Sequence, residues 1–309
     1  MRGAARMTTV ILNPAAGRGL AGRRRRIIEA ELRKHNLEYE LFTTHARGGA
    51  TELAIQAINR GNTRIIAVGG DGTINEVVNG ILQAGRRAPV TLGIIPLGTG
   101  SDFIKSFPSF KQNDIVGAVQ RIVANQTRSI DVGRIRVRAG RLTLTRYFIN
   151  GLGMGLDAAV AVESLKIPLL RGFAVYLIAS LRALATYRPG PMTVRFDGRQ
   201  ISRQLFFASV GNGRCQGGGF WITPDAQLDD GLLDLCMVDT MPISRALRKI
   251  PLLIRGVHTN EPEVMMTRAR RIEVTCSTPI PVATDGEVIA TAAQRVDVEV
   301  LPAAVNLLV

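Results

Sequence analysis

The chain contains few of the residues that build disulfide-linked or metal-stabilised folds. Its 309 residues include three cysteines, three histidines and one tryptophan, and aromatic residues make up 5%. Cys215, Cys236 and Cys276 are odd in number, lie far apart and form no CxxC pair. A disulfide scaffold is therefore excluded, a structural zinc site is not expected, and free thiols in a reducing compartment are the natural interpretation.

A long apolar run without charges is also missing. The most apolar stretch, residues 167–187, is interrupted by Arg171 and Arg182. A membrane span needs roughly 20 residues with almost no charge, and the N-terminal apolar run is too short for a signal peptide. At 46% hydrophobic residues, the chain is nevertheless too apolar to be disordered. We therefore expect a folded, cytoplasmic protein that associates with membranes only peripherally.

Acidic residues are outnumbered. The chain has 39 Lys and Arg against 25 Asp and Glu, a net charge of +14. This balance favours anionic partners such as nucleic acid, acidic lipid headgroups or phosphate-bearing substrates, although a genomic bias towards arginine would produce the same excess. No helix-turn-helix, zinc finger or aromatic ribonucleoprotein motif accompanies the charge, so we expect no nucleic-acid partner.

The first 125 residues alternate between short apolar strands and helical patterns, of which residues 74–82 have the clearest helical spacing. Continuous apolar strands indicate parallel pairing with both faces buried, which predicts an α/β domain over residues 1–125. Strand-like runs separated by turns predict a β-rich domain over residues 126–309, with helices near 172–185 and 244–255. The last strand either stays in this second domain or returns to the first.

Three glycine-bearing loops each follow a predicted strand of the first domain. Their sequences are NPAAG at 13–17, GGDGT at 69–73 and GTGSD at 98–102. In a parallel sheet all three lie at the carboxyl edge, where open α/β sheets bind ligands. Glycine lets backbone N–H groups approach phosphate oxygens, and a following helix adds its positive end. One such loop is equally typical of a tight turn, but three at one edge favour a phosphate site.

The chain contains neither a Walker P-loop nor a Rossmann fingerprint. GLGMG at 151–155 is similar to a dinucleotide loop, but it lies in the β-rich half without a βαβ context. We interpret it as a bend at the end of a strand.

Taken together, NPAAG, GGDGTINEVVNGI and PLGTGSDF resemble the diacylglycerol kinase catalytic-domain family, and most of all its bacterial soluble lipid kinase branch. This family includes diacylglycerol kinases and sphingosine kinases. The resemblance continues through NG, GGGF, PDA, LDDGLLD and a late DGE. GGDGT alone also occurs in NAD kinases and phosphofructokinase-like enzymes, whereas PLGTGSDF and DGE narrow the choice to lipid kinases.

The resemblance implies a fold and an activity. The fold is an α/β N-terminal domain with a parallel sheet, of the NAD kinase/diacylglycerol kinase type, followed by a β-rich lipid-substrate domain. The activity is transfer of the γ-phosphate of ATP, with Mg²⁺, to the hydroxyl of a lipid such as diacylglycerol. The partners it implies are ATP, a lipid alcohol and an anionic membrane surface, with a homodimer as an open oligomeric state.

The resemblance also assigns residues. The implied ATP contacts lie in the three loops and their flanks: Asn13, Pro14, Ala15, Ala16, Gly17, Thr44, Gly69, Gly70, Asp71, Gly72, Thr73, Asn75, Glu76, Gly98, Thr99 and Asp102. Ser101 stands where the family usually has asparagine.

Metal and proton-transfer roles are implied in the same way. Asp71, which is also an implied catalytic residue, and Asp102, with Asp131, would hold the catalytic Mg²⁺ or its waters. A second, structural Mg²⁺ would be held by the Asp230 carboxylate and the carbonyls of Gln227 and Leu232. Either Asp285 or Glu287 would act as general base on the lipid hydroxyl.

Several alternatives remain open. Without the resemblance, residues 285–287 and 229–231 are more typical of plain polar turns than of functional sites. The apolar stripe 173–184 is either core or an interfacial element that reaches a bilayer. An NAD kinase-like phosphotransferase shares GGDGT, and a non-catalytic basic protein that binds nucleotides or nucleic acid would account for the charge.

Overall fold

A computed structural model describes residues 7–85, 90–167 and 173–309. The chain divides into two units. The N-terminal unit contains residues up to Ile130 together with Ala303–Val309, and the C-terminal unit is Asp131–Pro302. The final residues of the chain therefore belong with the first unit.

The N-terminal unit alternates strands and helices. Its strands are β1 (Thr8–Leu12), β2 (Tyr39–Thr43), β3 (Arg64–Gly69) and β4 (Thr91–Pro96), and its helices are α1 (Ala16–Lys34), α2 (Gly49–Asn59), α3 (Asp71–Gln83) and α4 (Ile115–Ala124). The strands pair in parallel in the order β4–β3–β1–β2. Asn306 and Leu307, near the C-terminus, add a parallel partner beside β4. The predicted parallel α/β sheet is confirmed.

The apolar spacing of the helices decides which faces they bury in this unit. Ile28 and Leu32 of α1 and Val119 of α4 pack against Val10 of β1 and Ile66 of β3. Strands β1, β3 and β4 are buried along almost their whole length, as continuous apolar runs require. The sheet is therefore a rigid support for the loops at its carboxyl edge.

The C-terminal unit is rich in strands. Its elements are β5 (Thr127–Ala139, which begins in the other unit), β6 (Leu142–Phe148), β7 (Gly151–Gly155), α5 (Leu156–Ser164), α6 (Phe173–Thr186), β8 (Pro191–Phe196), β9 (Arg199–Gly211), β10 (Leu233–Asp239), α7 (Ile243–Arg255), β11 (Val264–Ala269), β12 (Arg271–Thr284) and β13 (Glu287–Leu308). The strand order is β11–β10–β9–β7–β12–β13, with β8 beside β9 and β12, and β6 beside β5. Pairs among these strands are antiparallel. The predicted β-rich half is confirmed.

The GLGMG segment differs from its prediction. All five residues form β7, a buried strand paired with β9 and β12, and only Gly155, with φ 88°, bends away into α5. A Cβ on Gly151 would lie 2.3 Å from the side-chain amide carbon of Gln216, and one on Gly153 would lie 2.6 Å from a carboxylate oxygen of Asp157. The glycines therefore make room for polar side chains, and α5 was not predicted at all.

The two predicted helices of this half are present with shifted bounds. Helix α6 is described from Phe173, so its predicted start at Gly172 lies outside the described residues. Leu184 is buried but Leu181 is 44% exposed, so the stripe is not a single buried face. No helix within the described ranges is long and apolar enough to cross a bilayer.

Candidate active site

The three glycine loops meet at one edge because β1, β3 and β4 are parallel neighbours. The Asn13 side-chain N–H donates to Thr73 Oγ1 at 3.0 Å, which joins the first loop to the second. A Cβ on Gly98 would lie 2.5 Å from the Cα of Gly70, so the second and third loops touch backbone to backbone. Thr44 is buried directly after β2, at the same edge.

The first loop has an unusual backbone. Gly17, Arg18 and Gly19 have φ of 55°, 63° and 79°, so the regular part of α1 begins only after them. The Ala15 N–H donates to Asn13 Oδ1 at 3.1 Å, which fixes the turn that contains Pro14 and Ala16. Unusual dihedrals at a helix start turn backbone N–H groups into a concavity that accepts anions. The first turn of α1 has no acidic residue to oppose this.

Asp71 joins the second and third loops. It is the first residue of α3, and its carboxylate accepts the N–H groups of Asp102 and Phe103 at 3.1 Å each. Burial raises the pKa of Asp71, and the neighbouring Asp102 charge raises it further, against the opposing effect of the two N–H donors and Lys105. Lys105 Nζ lies 2.7 Å from Asp102 Oδ1. Two carboxylates and one ammonium thus share a recessed site.

The donor chemistry at this edge fits Mg²⁺. Asp71 and Asp102 offer carboxylate oxygens, the ligands that Mg²⁺ prefers, and the unfavourable proximity of their charges would be relieved by a cation. No cluster of three or more His, Cys, Asp or Glu side chains suited to a metal occurs in the part of the chain that the structure describes. Water and phosphate oxygens would have to complete the coordination. Asp131 belongs to the C-terminal unit, where its carboxylate accepts the Gly231 N–H at 2.7 Å.

The remaining predicted ATP contacts are in different surroundings. Gly69 ends β3, Gly72 follows Asp71 in the first turn of α3, and Thr99 is exposed on the third loop. Asn75 is buried on α3 and accepts a hydrogen bond from the Asn79 amide at 3.1 Å.

Glu76 has a structural partner that the sequence did not indicate. Its two carboxylate oxygens accept the N–H groups of Gly48 and Ala50 at 3.0 Å each. These groups belong to the start of α2, so Glu76 caps that helix from a neighbouring one. Its predicted contact with ATP stays a prediction.

In the C-terminal unit, Asp285 occupies the tip of the hairpin that joins β12 to β13. Asp285 and Gly286 have φ of 47° and 80°, the pattern of a two-residue hairpin turn. The Asp285 carboxylate accepts N–H groups from Ile149, Asn150 and Gly151 at 2.9, 3.1 and 2.7 Å. It therefore holds the connection from β6 to β7 in place. Glu287, the other predicted base, is exposed and opens β13.

The predicted structural-metal loop precedes β10. Asp230 Oδ1 accepts the Leu232 N–H at 3.0 Å, and Arg268 donates to Oδ2 at 3.4 Å; Gln227 is exposed in the same loop. Asp234 was not predicted, yet its Oδ2 is buried with no hydrogen-bond partner among the described residues. Burial raises the pKa of Asp234 to about 6. The charges of Asp225 and Asp230 act on this carboxyl as well as those of Arg214 and Arg268, and carboxylate oxygens are the donor type that a hard divalent cation prefers.

One further acidic residue escaped the sequence analysis. Asp157 lies in the first turn of α5, and Ser209 Oγ donates to its Oδ2 at 2.8 Å. Burial raises the pKa of this carboxyl. The signal for it in the sequence is a single aspartate inside an otherwise apolar run, residues 152–161.

Comparisons with known proteins cover both units. Residues 7–135 match the diacylglycerol kinase catalytic domain, and residues 151–309 match the YegS C-terminal NAD kinase beta sandwich-like domain. The diacylglycerol kinase of Bacillus subtilis (strain 168) is 30% identical over 280 residues, which cover 90% of this chain and 88% of that protein. The chain belongs to the diacylglycerol kinase family. The family resemblance stated from its motifs is confirmed.

Solved structures agree on the fold of this diacylglycerol kinase family member. A Bacillus anthracis str. Sterne protein assigned as a diacylglycerol kinase has a TM-score of 0.77 at 24% identity and covers 98% of this chain and 96% of its own. Yeast NADH kinase complexed with NADH has a TM-score of 0.58 at 10% identity, covering 99% and 83%. These similarities confirm the NAD kinase/diacylglycerol kinase-like fold class.

Proposed function

We propose that this diacylglycerol kinase family member transfers the γ-phosphate of ATP to the hydroxyl of a lipid alcohol such as diacylglycerol. The observation that carries the proposal is the convergence of three glycine loops around Asp71, whose carboxylate is hydrogen-bonded to the third loop. Family membership supports a kinase that acts on lipids.

On the nucleotide side, backbone N–H groups are the main donors. The first loop and the start of α3 would receive the phosphates, because both present N–H groups without a side-chain cap. Asp71 and Asp102 would hold Mg²⁺, and Lys105 would keep Asp102 oriented. When bound, Mg²⁺ neutralises charge on the phosphoryl group as it is transferred.

On the lipid side, a carboxylate would accept a proton. The lipid hydroxyl oxygen forms a bond to the γ-phosphorus, the bond from that phosphorus to the bridging oxygen breaks, ADP leaves, and the hydroxyl proton passes to Asp285 or Glu287. Asp285 is fixed by three N–H donors, whereas Glu287 is exposed. Asp230, Gln227 and Leu232 would hold a structural Mg²⁺, with the spare Asp234 oxygen nearby in sequence. We further propose a cytoplasmic enzyme that meets its substrate at an anionic membrane surface.

The decisive experiment is a radiolabelled γ-phosphate transfer assay with ATP and Mg²⁺. The acceptors are a panel of lipid alcohols in mixed micelles, with NAD and a blank without acceptor alongside. We expect label on a lipid, and a loss of about a thousandfold in Asp71→Asn, because a site that neutralises phosphate charge contributes on that scale. Glu52→Gln, an exposed acid in the first turn of α2, is the matched control. Label on NAD alone, or no label from folded protein, would refute the proposal.

A further inference from the structure

Helix α7 (Ile243–Arg255) has an apolar surface that the protein covers on one side only. Four of its side chains pack against the apolar cluster of the C-terminal unit around Phe220: Ala246, Ile250, Leu253 and Ile254. Ile243 and Leu247, one turn apart, are 47% and 41% exposed, and Pro251 continues the same ridge on the surface. None of the residues of this helix is buried.

All the charged side chains of α7 itself are basic. Neither α7 nor α6, which packs beside it, contains an acidic residue. Arg245 and Lys249 are neutralised by Glu263, and Lys249 also by Glu261. The two other basic residues of the helix, Arg248 and Arg255, are not neutralised in this way by any residue that the structure describes.

Two arginines border the exposed ridge. Arg255 continues it by helical spacing, and Arg248 follows Leu247 directly. Both are exposed, and neither has a carboxylate partner among the residues that the structure describes. Exposed aliphatic side chains flanked by unneutralised arginines are therefore the defining feature of this surface.

We propose that α7 is the surface with which the C-terminal unit lies on an anionic lipid bilayer. A helix that lies in the membrane interface has a strongly apolar side, a basic polar side and low overall hydrophobicity, as α7 does. The ridge of Ile243, Leu247 and Pro251 would enter the headgroup region, and Arg248 and Arg255 would meet the acidic headgroups. The inference rests on the proposed function only in its choice of a membrane as the partner.

Two other occupants fit the surface less well. A protein that binds an amphipathic helix in a groove takes its whole apolar side, but four of those side chains already pack internally. A second copy bound through the same ridge in a two-fold symmetric contact would place the same patch of both copies face to face, so the arginines Arg248 and Arg255 of one copy would lie near those of the other, which is unfavourable. A bilayer needs only the shallow ridge.

The test is vesicle flotation without ATP, on phosphatidylcholine alone and with about one third phosphatidylglycerol. We expect Ile243→Glu/Leu247→Glu to lower the partition coefficient on anionic vesicles at least about tenfold. Arg248→Gln/Arg255→Gln should lower it by about fivefold for each charge on anionic vesicles and leave binding to phosphatidylcholine alone unchanged. Leu142→Glu, which replaces a side chain that is 67% exposed on β6, is the matched control and should change it less than about twofold.

Binding that is unchanged in both α7 variants, or absent in the unsubstituted protein, would overturn the inference. So would a shift from dimer to monomer in sedimentation with vesicle binding intact, because the ridge would then contact a second copy. The readout separates the two proposals. Flotation without phosphoryl transfer would refute the proposed function alone, whereas transfer to a short-chain, water-soluble diacylglycerol with no flotation would refute the role of α7 alone.

Discussion

Replacement of Asp285 by asparagine should destabilise the C-terminal unit as well as affect turnover. The carboxylate accepts three backbone N–H groups: Oδ1 takes those of Asn150 and Gly151, and Oδ2 takes that of Ile149. Asparagine tolerates the left-handed φ of 47° as well as aspartate does. Its amide keeps one oxygen, so the Ile149 N–H would face an NH₂ group, and the other two bonds would lose their ionic character.

The expected cost follows from those bonds. A hydrogen bond to a charged group contributes roughly 1.5–3 kcal/mol, and a buried donor left unpaired costs about 1–3 kcal/mol. Asp285→Asn should therefore lower the free energy of unfolding by about 2–4 kcal/mol. At roughly 2–4 °C per kcal/mol for a unit of this size, the melting temperature should fall by about 5–15 °C.

The assay uses an intrinsic reporter. The single tryptophan of the chain, Trp221, lies in the C-terminal unit, so its fluorescence during thermal or urea unfolding reports on that unit. Glu287 is an exposed residue of the same hairpin, and Glu287→Gln should leave the free energy of unfolding within about 0.5 kcal/mol of that of the unsubstituted protein. Equal midpoints for Asp285→Asn and the unsubstituted protein would refute the structural role, and a loss of turnover alone would then assign Asp285 purely to proton transfer.

Three further predictions concern other parts of the two units. Gly98→Ala should weaken ATP binding and lower unfolding stability by about 1–3 kcal/mol, because its Cβ would lie 2.5 Å from the Cα of Gly70; calorimetric titration with ATP checks the affinity, and an unchanged affinity would contradict the close approach of the two loops. Glu76→Gln should lower unfolding stability by about 1 kcal/mol, since the carboxylate caps α2; the KM for ATP, measured alongside, tests its predicted nucleotide contact, which an unchanged KM would contradict. Asp157→Asn should raise the unfolding midpoint at pH 8 and not at pH 4. Burial raises the pKa of Asp157 in the folded state above its pKa in the unfolded chain, so the protein loses stability as the pH rises through the interval between the two. If the midpoints of the variant and the unsubstituted protein changed with pH in the same way, this reasoning would be contradicted.

The sequence predicts the N-terminal unit best, and for a physical reason. A parallel strand buried on both faces must be apolar throughout, so β3 is visible as a solid run, and the spacing of α3 shows which side it buries. The loops follow from the strands, because parallel neighbours end at one edge. The hydrogen bonds from Asp102 and Phe103 to Asp71 could not be predicted, since they depend on the path of a loop whose sequence gives no periodic signal.

The C-terminal unit is predicted less completely because its interior is not uniformly apolar. Three of the five residues of β7 are glycine, and Gln216 and Asp157 occupy the space beside Gly151 and Gly153. A strand with so many glycines resembles a loop in the sequence. Glu76 and Asp285 show the same limit. A motif in the sequence can predict that a carboxylate binds a ligand. The backbone N–H groups that donate hydrogen bonds to that carboxylate are seen only in the three-dimensional structure.

The parallel pairing of Asn306 and Leu307 with β4 has a consequence for biosynthesis. During translation, residues 8–124 emerge with every helix and four strands of the N-terminal unit, but one side of β4 stays without its neighbour until some 180 further residues have been made. An open strand edge is a template for intermolecular pairing. Ribosome-bound nascent chains should therefore be most prone to aggregation throughout synthesis of the C-terminal unit, and a fragment ending at residue 302 should keep that liability permanently.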